Sequence, residues 1–99
     1  VEHLQDILKA KKATKLKGDI LMAIGNGFLA QGHSKQAASY YGLFLREYPK
    51  SQHTPQALYY LGQAIKDLGE VEKQKILWKE LIKNYPQSSL AKRAKKQLR

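Results

Sequence analysis

Shifted by 37 residues, the sequence matches itself, and this constrains the fold more than any other feature. Leu21 meets Leu58, Gly25 meets Gly62 and Gly32 meets Gly69. Tyr48-Pro49 meets Tyr85-Pro86, Ser51 meets Ser88, Ala57 meets Ala94 and Leu61 meets Leu98. Conservative pairs fill the intervals: Ile24 with Leu61, Phe28 with Ile65, Tyr41 with Trp78, Phe44 with Leu81, Leu45 with Ile82. Carried backwards, the register sets Leu4, Ile7 and Leu8 in the columns of Tyr41, Phe44 and Leu45. The chain therefore reads as one domain over 1–99. A half-repeat at 1–17 precedes repeats at 18–54 and 55–91, and a C-terminal helix covers 88–99.

Each unit carries two helical periods. Ile20, Leu21, Ile24, Phe28 and Leu29 recur at steps of three and four residues, which predicts one buried helical face. Gly32 ends that helix by accepting a left-handed conformation, and Ser34 is placed to cap the next. Ala37, Tyr40, Tyr41, Phe44, Leu45 and Tyr48 carry the second helix to Pro49. The second unit opens with Thr54 as cap and Pro55 in the first turn, and buries Leu58, Leu61, Ile65 and Leu68. After Gly69, Val71, Lys75, Trp78, Leu81, Ile82 and Tyr85 lead to Pro86, and Ser88 caps a last helix through Leu90, Ala91, Ala94 and Leu98. No segment alternates with the two-residue period of a strand, so the expected class is all-α. Mid-helix Gly25 and Gly62 each cost about 1 kcal/mol against alanine, and close approach of Tyr41 or Trp78 to the bare backbone explains them. Helix pairs packed in this way predict a right-handed solenoid whose inner wall is lined by the first helix of each pair.

These residues resemble the tetratricopeptide repeat. Its pattern reads here as Leu21, Ile24-Gly25, Phe28, Ala37, Tyr41, Phe44, Pro49, and again as Leu58, Leu61-Gly62, Ile65, Gln74, Trp78, Leu81, Pro86. Gln74 stands where the pattern has a small residue, which implies a looser crossing. The 37-residue length, with Tyr48-Pro49-Lys50-Ser51 and Tyr85-Pro86-Gln87-Ser88 as punctuation, is similar to bacterial envelope members of that family. The nearest likeness is to the C-terminal domains of Tol–Pal-associated cell division coordinators; outer-membrane assembly lipoproteins have repeats of the same kind. The likeness implies a periplasmic protein that binds a segment of a partner, with the Tol system's membrane-spanning protein as the named candidate. The N-terminal half-repeat departs from it, with Lys11-Lys12-Ala13-Thr14 where Tyr-Pro-x-Ser would fall.

Charge bears on the kind of partner. Lys+Arg number 18 against Asp+Glu 8, a net of +10, and the excess sits at the ends. Lys9, Lys11, Lys12, Lys15 and Lys17 form one cluster, and Lys92, Arg93, Lys95, Lys96 and Arg99 the other. Such a surface favours acidic partners. Neither cluster contains an aromatic residue, which disfavours nucleic acid, the alternative use of a basic scaffold along with an anionic surface. No apolar run reaches the roughly 20 residues of a membrane span. Zero cysteines exclude disulfides and thiolate chemistry but leave the compartment open between periplasm and cytoplasm.

No catalytic set emerges. His3, His33 and His53 lack ligand spacing, and Gly25-Asn26-Gly27 lies inside a helical stripe without the lysine of a phosphate loop. No enzyme, cofactor or metal is expected. On the tetratricopeptide template the inner wall takes Asp19, Met22, Asn26 and Leu29 from one repeat and Tyr59, Gln63 and Lys66 from the next. Amides, an aromatic and a flexible methionine suit a held peptide. Lys92, Lys95 and Lys96 form a basic rim. The expected role is a non-enzymatic adaptor; a structural segment of a larger solenoid is the other reading. Open repeat ends (Leu4, Ile7 and Leu8; Leu90 and Leu98) lead us to expect self-association.

Overall fold

Glycine and proline set the helix boundaries. Gly32 and Gly69 adopt positive φ, 82° and 87°, two residues beyond the helices that they end. Around each, two backbone amides fold back on the last turn: His33 donates to Phe28 and Gly32 to Leu29, and Glu70 donates to Ile65 and Gly69 to Lys66. Tyr48 and Tyr85 close the intervening helices ahead of Pro49 and Pro86, donating to Phe44 and Leu81. The structure, a computed structural model, describes the backbone of residues 2–98 and the side chains of 15–98. It is all-α: α1 (Glu2–Ala30), α2 (Ser34–Glu47), α3 (Thr54–Asp67), α4 (Val71–Asn84) and α5 (Ser89–Gln97), with no strand among the described residues. None of these helices is long and apolar enough to cross a membrane.

The helices stack in register. α1 packs on α2 and α3 on α4, α2 carries α3, and α5 lies against α4 and α3; α3 thus touches both α1 and α5. One core joins Leu21, Met22, Tyr41 and Phe44 to Ala57, Leu61 and Ala64 of α3. The next joins Leu58, Tyr59, Trp78 and Leu81 to Ala91 and Ala94 of α5. The second core is the first moved on by one repeat, and α3 supplies a face to each. The two mid-helix glycines serve the close packing expected of them. A β-carbon on Gly25 would lie 2.8 Å from Tyr41 Cε1, and one on Gly62 2.2 Å from Trp78 Nε1.

Several local expectations fail for identifiable reasons. Ser34 does not cap α2: the N-cap is His33, and the buried Ser34 hydroxyl donates instead to Asp67 Oδ2 at 3.1 Å. Thr54 likewise sits inside α3 and donates to the Tyr48 carbonyl at 3.3 Å, whereas Ser88 caps α5 through the Leu90 amide. Ile20 and Leu68, expected in buried stripes, are 49% and 46% exposed. Ile20 faces away from α2, and Leu68 already lies past the end of α3. Gln74 and Trp78 are both buried, so the crossing closes around the larger side chain. α1 runs unbroken through 11–14, where a separate half-repeat helix would have ended; no glycine or proline between 2 and 17 stops it. The side chains of His3, Leu4, Ile7, Leu8, Lys9, Lys11 and Lys12 lie outside the described residues.

Candidate partner groove

The inner layer of α1 and α3 presents a small polar wall anchored on a buried tyrosine. The Tyr41 ring is fully buried against Gly25 and stacks on Tyr60 at 6.2 Å between centroids. Burial, with a further contribution from Tyr60, pushes its hydroxyl up to about 12, so it stays a neutral donor. It donates to Asn26 Oδ1. The amide oxygen is thus engaged within the chain, and Asn26 itself is exposed, which leaves the two amide N–H donors for other partners. Asn26, Leu29, Ala30 and Tyr60 line a hollow of about 270 Å³ beside that amide. One turn on, Gln63 Nε2 donates to the Tyr59 hydroxyl at 3.2 Å, and Lys66 stands exposed.

Of the seven wall residues expected from sequence, Asn26, Leu29, Gln63 and Lys66 meet solvent on these helices. Asp19 is half-buried and paired with His53 Nε2 at 3.1 Å, which ties α1 to the start of α3. Met22 and Tyr59 must be corrected. They are 5% and 3% exposed, because each is overlaid by the next first-helix, α3 over Met22 and α5 over Tyr59. Tyr59 stacks flat on Trp78 at 5.0 Å, and Trp78 Nε1 donates to its carbonyl at 3.1 Å. Its hydroxyl accepts from Gln97 at 2.9 Å, and Arg93 lies 6.0 Å over its ring. The aromatic that does reach the wall is Tyr60. It stands in the column of Ala23, so the repeat gives no sign of it.

Lys92, Lys95 and Lys96 lie on the solvent face of α5, opposite buried Ala91 and Ala94. A larger cavity of about 560 Å³, which nothing in the sequence announces, opens where α2, α3 and α4 meet. Leu45, Pro49, Leu58, Leu77 and Tyr85 line it. Among the described residues no three His, Cys, Asp or Glu side chains converge as a metal site would require.

A family model for the tetratricopeptide repeat matches residues 19–51 and again 56–88. No curated protein and no solved structure matches the chain.

Proposed function

The chain belongs to the tetratricopeptide repeat family, whose repeats generally mediate protein–protein interaction, and on that premise we propose that it is a non-enzymatic adaptor. It holds an extended segment of a partner protein along the inner wall of α1 and α3. The observation that carries this reading is the exposed Asn26, whose amide oxygen is held by the Tyr41 hydroxyl beside an apolar hollow and whose N–H donors are left for a partner. Peptide carbonyls need donors of this kind, and the hollow accepts a side chain next to them. Lys66 and the exposed lysines of α5 favour an acidic segment by steering its approach. The repeat length and the Tyr-Pro-x-Ser punctuation support a place in a bacterial envelope, with the Tol system's membrane-spanning protein as the first partner to try.

The test is calorimetric titration with the periplasmic part of that Tol protein. Asn26→Ala combined with Lys66→Glu is expected to weaken binding at least tenfold; Asn26→Ala also strands the buried Tyr41 hydroxyl at a cost of about 1 kcal/mol, so the titration is run well below the variant's Tm. Reversing Lys92, Lys95 and Lys96 to glutamate should mainly slow association and reduce its salt dependence. A silent groove variant beside an inactive lysine variant would move the function to the basic helix. No binding by the wild type would remove the Tol assignment.

A further inference from the structure

The two ends of the stack are built differently. α3 turns Ala57, Leu61 and Ala64 onto the first pair and buries them to 0%, 9% and 0% exposure. The 37-residue register sets Ile20, Ile24 and Gly27 of α1 in those columns. There Ile20 is 49% exposed and Ile24 half-buried, and a β-carbon on Gly27 would meet nothing within 4 Å. Leu16, one turn earlier, is 60% exposed. Leu16, Ile20 and Ile24 thus form an aliphatic ridge at four-residue steps, exposed at Leu16 and Ile20 and half-buried at Ile24. At the other end, the columns of Leu21 and Leu58 and of Met22 and Tyr59 are buried in α1 and α3 but hold exposed Lys95 and Lys96 in α5.

We infer that this ridge is the interface of a symmetric dimer of the chain. Two α1 helices cross antiparallel about a twofold axis near Ile20, and Leu16 of one copy meets Ile24 of the other. The ridge is self-complementary, with a large aliphatic residue four positions to either side of Ile20. Ridges at four-residue spacing interlock at a crossing of about 50°. Ala23 and Gly27 beside the ridge leave room for close approach. Two other occupants fit worse. Residues 2–14 of the same chain would have to turn back near 11–14, but α1 carries them straight on, away from the ridge. Head-to-tail stacking of copies would press Lys95 and Lys96 onto hydrocarbon, leaving buried ammonium groups unpaired. Of the charges beside the ridge, Lys17 is held by Glu47 of its own copy at 3.5 Å and Asp19 is paired with His53 at 3.1 Å. An interface between like surfaces closes at two copies and does not propagate. Two crossing helices bury less than a standard interface, so the dimer forms only at high protein concentration.

The chain has no cysteine, which makes introduced thiols unambiguous. Ile20→Cys, at the axis, should form an intermolecular disulfide under mild oxidation at least tenfold faster than Ile76→Cys, a more accessible site on α4 (67% exposed against 49%). In sedimentation, the wild-type mass should rise with concentration, and Ile20→Glu should abolish the rise while Ile76→Glu preserves it. A wild type that stays monomeric at millimolar concentration would overturn the inference. So would equal crosslinking at positions 20 and 76, or association lost only on reversing Lys95 and Lys96.

Discussion

The two helix pairs occupy the same columns of one repeat, yet each closes its crossing with a different ring. In the first, Tyr41 lies on Gly25 and its hydroxyl reaches out to Asn26 on the inner wall. In the second, Trp78 lies on Gly62 and its N–H turns inward to the carbonyl of Tyr59. The tyrosine couples the core to the candidate groove, whereas the tryptophan couples the core only to itself. A repeat can therefore keep its packing while the ring at the crossing is tied to the inner wall in one pair and to the core in the other.

The sharpest way to break this comparison is to remove the residue that each pair buries under the next helix. Tyr59→Ala should cost on the order of 3–5 kcal/mol, because it empties a buried site stacked on Trp78 and removes the acceptor shared by Gln63 and Gln97. Met22→Ala, in the same column, should cost about 2–4 kcal/mol. Urea denaturation checks both; a Tyr59 variant as stable as wild type would return that residue to the groove.

Next come the glycines. Gly62→Ala should cost roughly 2–3 kcal/mol, since its β-carbon would fall 2.2 Å from a rigid indole, and Gly25→Ala about 1–2 kcal/mol at 2.8 Å from Tyr41. Gly27→Ala meets open space and should stabilise by up to about 1 kcal/mol. Thermal melts of the three variants give the order, and equal losses at 25 and 62 would mean that the identity of the ring does not matter.

The last effect, absent at neutral pH, is a pH dependence confined to the first pair. Tyr41 ionises at about 12 in the folded chain against 10.0 in the unfolded one. The unfolded chain releases this proton first, so the contribution is intact below pH 10 and falls away as pH rises toward 12, by about 2 kcal/mol. Tyr41→Phe should show a shallower loss than wild type over that window. Trp78 has no proton to lose there, so parallel curves would detach Tyr41 from the alkaline transition.

What the sequence disclosed was mostly chemistry that acts locally. Gly32 and Gly69 are legible because only a left-handed turn uses them so, and Pro49 and Pro86 because they cannot continue a helix. Gly25 and Gly62 could be read through the aromatic one helix later. Met22 and Tyr59 could not, because both flank the buried stripe and only the overlying helix decides their exposure. Ser34 and Thr54 look like caps from composition, but each lies one residue inside its helix and makes a tertiary bond. The expectation that Asn26, Leu29, Gln63 and Lys66 face the surface came from the family template and not from any periodicity of their own.

The flat stacking of Trp78 on Tyr59 also makes the chain its own optical instrument. It is the single tryptophan among six tyrosines, buried and shielded from water, so its emission lies to the blue and reports the second pair alone. Circular dichroism reads all five helices together. Stacked repeats need not melt in one step, since each touches only its neighbours. Superimposed emission and dichroism curves would describe a single cooperative unit; emission changing at a different temperature would give the separate stability of each half, with no label attached.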